Sequence, residues 1–90
     1  MLVKEFKITR DSGIDAKMSS LLVSKSSSFK CDIAITVADK SINLKSILGV
    51  MSLEAEKNQI IKISCDGIDE KEAINDLALL ISDVKLGKEY

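Results

Sequence analysis

The sequence predicts an α+β fold with the element order β-α-β-β-α-β-α, in which three helices cover one face of a four-stranded antiparallel sheet. Four segments alternate apolar and polar residues, which is the period of a half-buried strand. Three other segments follow good capping residues and carry apolar residues at helical spacing. Helices with an apolar stripe need a partner, and strands of this kind are apolar on one side only. A sheet covered on one face and solvated on the other satisfies both conditions.

The strands are predicted where alternation is bounded by turn residues. They lie at residues 2–9, 31–37, 41–44 and 60–65. The second and third strands are joined by a short reversal and form a hairpin. No repeat, linker or low-complexity segment divides the chain, so residues 1–90 are expected to form a single domain.

The first helix is predicted to begin directly after Asp15, because aspartate is a strong N-cap residue. On this helix Leu22 and Val23 are expected to face the core, with Ser19 and Ser26 as small residues on the same side. Met18 and Leu21 are expected to fall on another flank.

The last helix is predicted from Asp69, with Glu72 placed three residues on as in a capping box. Apolar residues recur at helical spacing from Ala73 to Val84. Gly87 and the neighbouring lysines suit the end of this helix.

The most informative stretch is the short middle helix within residues 43–53, with Ser46 as its N-cap. Its apolar residues exceed what one helix face can bury. The core side is expected to hold Leu44, Val50 and Leu53, and the outward side Ile47, Leu48 and Met51. Clustered exposed apolar residues usually mark a contact surface, although helical spacing alone would favour a core. A phosphate on the Ser46 hydroxyl would lie at the positive end of the helix dipole, so this serine is either a simple cap or a phosphorylation switch.

Composition narrows the class of protein. The 13 basic and 14 acidic residues nearly cancel, which argues against nucleic-acid binding. Charges near the N-terminus argue against a signal peptide, and no apolar run is long enough for a membrane span, so a cytoplasmic location is expected. The chain has no histidine, the commonest acid–base residue and metal ligand, and no metal or cofactor is expected. Cys31 and Cys65 are interpreted as small buried hydrophobes rather than a redox or metal pair.

Two segments resemble HPr, the small phosphocarrier of the bacterial phosphoenolpyruvate-dependent sugar phosphotransferase system. Residues 11–17 read DSGIDAK and occupy the place of the family's active-site loop, G-[IL]-H-A-R-P-A. Residues 43–53 read NLKSILGVMSL and are similar to the regulatory serine segment of Gram-positive members almost residue for residue. The resemblance implies an HPr-like open-faced β-sandwich, and a carrier or regulator rather than an enzyme.

The sequence departs from the family at the residues that carry the phosphoryl group. Asp15 stands where the family carries its phosphoryl-accepting histidine, Lys17 replaces an arginine, and Met18 replaces a proline. A carboxylate lacks the accepting nitrogen, and lysine supplies charge without a bidentate fork. The resemblance therefore implies that the carrier activity on histidine is lost.

A branch of the family typified by Crh also lacks the histidine and acts through its serine in carbon catabolite repression. Carried over, this makes Ser46 the substrate of HPr kinase/phosphorylase. The phosphorylated form would bind a LacI-type transcription regulator. The expected docking residues are Lys17, Met18 and Leu21 on the first helix and Ile47, Leu48 and Met51 on the second. A family relative exchanges a strand, so a monomer and a weak, strand-swapped dimer both stay open.

Three interpretations of Asp15 stay open: it is a helix cap, a mimic of phosphohistidine, or an acyl-phosphate acceptor helped by Asp11. Two alternative functions follow from the same resemblance. One is a phosphocarrier that uses Asp15. The other is an unmodified interaction module that competes with a histidine-bearing HPr for shared partners, including other phosphotransferase-system proteins.

Overall fold

The computed structural model describes all 90 residues and confirms the α+β architecture, with one strand more than predicted. In chain order the elements are β1 (Leu2–Ile8), α1 (Ala16–Ser27), β2 (Asp32–Val37), β3 (Lys40–Asn43), α2 (Ile47–Ser52), β4 (Ile60–Asp66), α3 (Glu70–Asp83) and β5 (Gly87–Glu89). None of the three helices has the length and apolar character that crossing a membrane requires.

The sheet has the order β3-β2-β4-β1-β5, and every neighbouring pair is antiparallel. The alternation in the sequence decides which side is covered. Ile35 lies opposite Ile63, and Phe6 lies opposite Ile61, and all four side chains are buried. Most of their neighbours along each strand are polar or small, such as Glu5, Lys7 and Lys62, and line the uncovered face. The expectation of one covered and one solvated face is confirmed.

The prediction of four strands was wrong, because the residues after α3 return to the sheet. Lys85 takes a left-handed conformation with φ of 56°, and the Leu86 N–H donates to the Ile81 carbonyl at 3.0 Å. This is a Schellman ending with lysine where glycine is usual. Leu86 is fully buried, and Gly87 starts β5 beside β1. A Cβ on Gly87 would lie 2.5 Å from the Lys7 carbonyl oxygen, so the glycine serves this close approach rather than the helix end.

The capping box predicted for α3 is also absent. Asp69 precedes the helix but makes no side-chain cap bond. Its carboxylate instead accepts from the backbone N–H groups of Lys30 at 2.8 Å and Cys31 at 2.9 Å. The carboxylate of Glu70 accepts from the Gly67 N–H at 3.1 Å. The two bonds of Asp69 tie the start of α3 to the start of β2, which no local pattern could have shown.

The two cysteines are free and buried, as expected for small core residues. Burial raises the pKa of the Cys31 thiol to about 12, with the Asp69 carboxylate as a further cause. A thiol that holds its proton so firmly is a poor nucleophile and a poor metal ligand.

Candidate functional site

Ser46 caps α2 with an exposed side chain, as the sequence predicted. Its Oγ accepts from the Gly49 backbone N–H at 3.2 Å. The turn before it is held by Asn43, whose Oδ1 accepts from the Lys45 N–H at 2.9 Å and whose carbonyl accepts from the Ser46 N–H at 3.0 Å. The hydroxyl makes no other hydrogen bond and is exposed to solvent.

Gly49 has no side chain, and this leaves space for the Ser46 hydroxyl. A Cβ there would lie 2.5 Å from Ile42 Cγ2 and 3.1 Å from Ser46 Oγ. The glycine therefore allows α2 to lie close to β3 and keeps the side of the serine open.

Three apolar residues beside Ser46 are exposed, as the sequence predicted. The exposed fractions are 41% for Ile47, 78% for Leu48 and 41% for Met51. The three residues assigned to the core side are buried, namely Leu44, Val50 and Leu53. We call Ser46 together with Ile47, Leu48 and Met51 the Ser46 patch. Exposed apolar side chains that cluster in this way make the Ser46 patch a candidate contact surface.

The contribution predicted for α1 is only partly present. Met18 is 4% exposed and belongs to the core, so its assignment to the contact surface was wrong. The buried face of α1 runs through Met18, Ser19, Leu22 and Ser26. Ser19, Leu22 and Ser26 were expected there, and Met18 is the addition, while Val23 is half-buried against the core. Leu21 is half-buried against the core, and Lys17 is the one exposed residue of the three. Met18 lies at the start of this face, on a helix that packs against both α2 and α3.

Asp15 caps α1 through its carboxylate, which confirms the simplest of its three interpretations. Oδ1 accepts from the Met18 N–H at 3.0 Å, and Oδ2 pairs with the Arg10 guanidinium at 3.0 Å. The pKa of the Asp15 carboxyl is lower than its usual value. The main cause is the hydrogen bond from the Met18 N–H, and the next is the hydrogen bond from Arg10. Asp15 is therefore ionised at neutral pH, with both oxygens engaged.

Arg10 is the site residue that sequence reasoning missed. Its Nη1 also donates to the Gly13 carbonyl at 3.1 Å, so it closes the turn before α1 as well as pairing with Asp15. A signal was present, because Arg10 is the single arginine among 13 basic residues. A guanidinium is favoured where one rigid group must serve two acceptors.

Asp11 pairs with Lys57 rather than with Asp15. Its carboxylate pairs with Lys57 Nζ at 2.7 Å, and that ion pair is the main cause of a lowered pKa for Asp11. The expected helper residue is thus engaged with the loop before β4.

The largest hollow on the protein, about 440 Å³, lies on the uncovered face near β2 and β3 and includes neither Ser46 nor Asp15. Its lining is mixed, with Ala34 and Ile42 beside Asn43 and Ser64. The candidate site is therefore a surface rather than a cavity.

Most of this fold, from β1 to the end of α3, matches a known family. The family model described as the PTS HPr component phosphorylation site covers residues 2–83. This chain belongs to the HPr family. HPr proteins are phosphocarriers of the phosphotransferase system rather than enzymes, and they interact with other proteins of that system.

Three solved structures place the chain within the family. The histidine-containing phosphocarrier protein of Mycoplasma is 31% identical, with 96% of this chain and 98% of that chain covered and a TM-score of 0.94. HPr-C-His of Thermoanaerobacter tengcongensis is 35% identical over 92% and 93% of the two chains, with a TM-score of 0.87. Crh of Bacillus subtilis, a catabolite repression protein described as a swapped dimer, is 28% identical over 86% and 88%, with a TM-score of 0.72.

Proposed function

We propose that this protein is a cytoplasmic regulator of the HPr family that is phosphorylated on Ser46 by HPr kinase/phosphorylase. In the phosphorylated form it binds a LacI-type transcription regulator and acts in carbon catabolite control. It carries no phosphoryl group on residue 15. The observation that carries this proposal is the exposed Ser46 hydroxyl beside exposed Ile47, Leu48 and Met51.

Ser46 has the accessibility that a kinase substrate needs. Its oxygen accepts one backbone hydrogen bond at 3.2 Å, and its proton is not donated to any protein group. A kinase can therefore remove that proton and phosphorylate the oxygen without disrupting the core. A phosphate oxygen can then accept from the Gly49 N–H in place of the hydroxyl, since phosphate is favoured at helix N-termini.

Phosphorylation would change what the Ser46 patch can bind. It adds a charge of about −1.5 to −2 at neutral pH beside side chains that are apolar and exposed. A partner with an apolar pocket for Leu48 and an arginine for the phosphate would distinguish the two forms, because charge-assisted bonds to phosphate are strong. Lys17 and the exposed part of Leu21 on α1 would flank that contact.

The arrangement at Asp15 supports the loss of carrier function. Both carboxylate oxygens are engaged, one by the Met18 N–H and one by Arg10. No imidazole nitrogen is present to accept a phosphoryl group. The negative charge at this N-terminus is therefore permanent, and the proposed switch lies at Ser46.

The direct test is intact-mass spectrometry after incubation with HPr kinase/phosphorylase, ATP and magnesium. The wild-type chain should gain the mass of one phosphoryl group. Ser46→Ala should gain nothing, and Ser46→Asn is the sharper control because asparagine keeps a capping oxygen but cannot be phosphorylated. Ser52→Ala serves as the matched control, since Ser52 is exposed on the same helix and donates to the Gly49 carbonyl at 2.6 Å. A gain retained in Ser46→Asn would refute the site.

A second experiment separates the regulator from an unmodified competitor. Binding of the LacI-type regulator, and of the first enzyme of the phosphotransferase system, is measured by calorimetry with both forms of the protein. The proposal expects the regulator to bind the phosphorylated form alone. Equal binding by the unmodified protein and by Ser46→Ala would favour the competitor function instead.

Incubation with phosphoenolpyruvate and that first enzyme tests the carrier alternative. An acyl phosphate on Asp15 would be labile to hydroxylamine and absent from Asp15→Asn. We expect no such label, because the carboxylate is already occupied by its two partners.

A further inference from the structure

β1 is covered along its outer edge by β5, a strand of only three residues. The Thr9 N–H donates to the Leu86 carbonyl at 2.9 Å, and the Tyr90 N–H donates to the Glu5 carbonyl at 2.9 Å. By the alternation of an antiparallel ladder, Lys7 and Lys88 between them exchange a pair of backbone bonds. Without β5, the seven-residue edge of β1 would present these backbone groups to solvent.

Several features of β5 make its pairing with β1 weak. Lys7 and Lys88 lie directly opposite each other on the uncovered face of the sheet, and like charges in that relation are destabilising. An open hollow of about 240 Å³, lined by Phe6, Ala78 and Ile81 among others, lies where β5 meets α3. The residues beyond Gly87 are exposed, and one ion pair between Lys4 Nζ and Glu89 Oε1 at 3.2 Å helps to hold them.

The edge of β1 is, by contrast, complementary to itself. An antiparallel pairing of two copies about a two-fold axis at Phe6 would set Glu5 of each copy opposite Lys7 of the other. Glu5 and Lys7 are the residues whose backbone bonds point to this edge, because Ile8 donates the other way, to the Gln59 carbonyl at 3.0 Å. The pairing would therefore join hydrogen-bonded residues of opposite charge and replace the Lys7–Lys88 repulsion.

We propose that the outer edge of β1 is a latent self-association surface for a second copy of this chain, and that β5 is a strap that keeps it closed. In the intact chain β5 outcompetes a second copy for the edge of β1, because β5 belongs to the same chain. A segment tethered in this way acts at an effective concentration in the millimolar range. The exposed edge of the monomer is then short and charged, which discourages strand pairing between molecules. This device does not depend on Ser46.

Gly87→Ala in the full-length chain releases the strap, because its Cβ would lie 2.5 Å from the Lys7 carbonyl oxygen. Hydrogen exchange by NMR at micromolar concentration should then show at least about tenfold faster exchange of the Lys7 and Thr9 amides. The Ile8 amide, which is bonded toward β4, should keep its protection and is the internal control. Lys88→Pro is an independent route to the same release, since proline removes the N–H that faces Lys7.

Sedimentation at increasing concentration then tests the second copy. The wild-type chain and Lys88→Ala should stay at 9.8 kDa, and the released variants should approach twice that mass. Adding Lys7→Glu to Gly87→Ala would place two carboxylates opposite each other and should weaken association about tenfold. Adding Glu5→Lys as well should restore it.

Two results would overturn the proposal. One is release of the Lys7 amide with no association at any concentration. The other is full protection of the Lys7 amide in both Gly87→Ala and Lys88→Pro, which would show that β5 is not what closes the edge.

Discussion

The helices α1 and α2 both begin with a side-chain oxygen that accepts from the backbone N–H three residues on, but the two capping residues differ in charge and in their other partners. Asp15 accepts from the Met18 N–H at 3.0 Å, and Ser46 accepts from the Gly49 N–H at 3.2 Å. Asp15 is ionised and its second oxygen is paired with Arg10. Ser46 is neutral, has no second partner and faces solvent. Of the two capping side chains, only Ser46 is therefore free to be modified, because it has no partner other than the helix N–H.

The helices behind the two caps differ in the same sense. α1 has 12 residues and contacts both other helices, so it buries Met18 at its first turn. α2 has six residues, and the only one fully buried is Val50. The shorter helix cannot cover its own apolar side chains, and Leu48 is left exposed as a result.

The largest effect that would sharpen this comparison is expected at Met18. Met18→Ala should lower the free energy of unfolding by about 2–5 kcal/mol, because it leaves a cavity in the core. Met51→Ala on α2 is the matched control and should cost far less, since Met51 is 41% exposed. Urea unfolding of the two variants measures the difference. Equal costs would contradict the assignment of Met18 to the core.

A smaller effect is expected from removing the α2 cap. Ser46→Ala should destabilise the protein by about 1 kcal/mol, because the Gly49 N–H loses its acceptor. Ser46→Asn should be close to wild type in the same thermal unfolding experiment. If both variants cost the same, the 3.2 Å bond would not be stabilising the helix.

The charge at the α1 cap should appear as a pH dependence. The pKa of Asp15 is lower in the folded protein than its usual value of 3.8, so the carboxylate stabilises the fold above that pH. This stability is lost as the pH falls through the lowered pKa. Asp15→Asn keeps a capping oxygen but loses the charge, so it should be less stable than wild type at pH 7. The gap between them should close in acid. Unfolding measured from pH 7 down to pH about 2 tests this, and a gap that persists unchanged would contradict it.

The smallest effect on stability is expected at the most exposed residue of the Ser46 patch. Leu48→Ala should change the free energy of unfolding by less than about 0.5 kcal/mol, since surface substitutions rarely do more. Under the proposed function it should nevertheless weaken partner binding. Unfolding and calorimetry on the same sample separate the two roles. A large loss of stability would show that Leu48 supports the fold instead.

The fold and half of the site could be predicted because they depend on local patterns. Alternation located β1 to β4, and capping preferences located the starts of α1 and α2. The division of α2 into Leu44, Val50 and Leu53 against Ile47, Leu48 and Met51 also followed from an excess of apolar residues in a short segment.

The errors lie where distant parts of the chain meet. Asp69 gives up its helix cap to bond the backbone of Lys30 and Cys31, which are 39 and 38 residues away. Met18 is likewise buried on a helix that contacts both α2 and α3, which the local pattern of α1 did not show.

The sequence by itself determined the order of the elements, the covered face of the sheet and the serine at the start of α2, because each depends on residues within one or two turns of each other. Only the tertiary structure decided that Arg10 pairs with Asp15, that Met18 is core and that Gly87 opens a fifth strand. In each of these cases the residue type allows several roles. The partner that selects one of them is brought within contact distance only by folding.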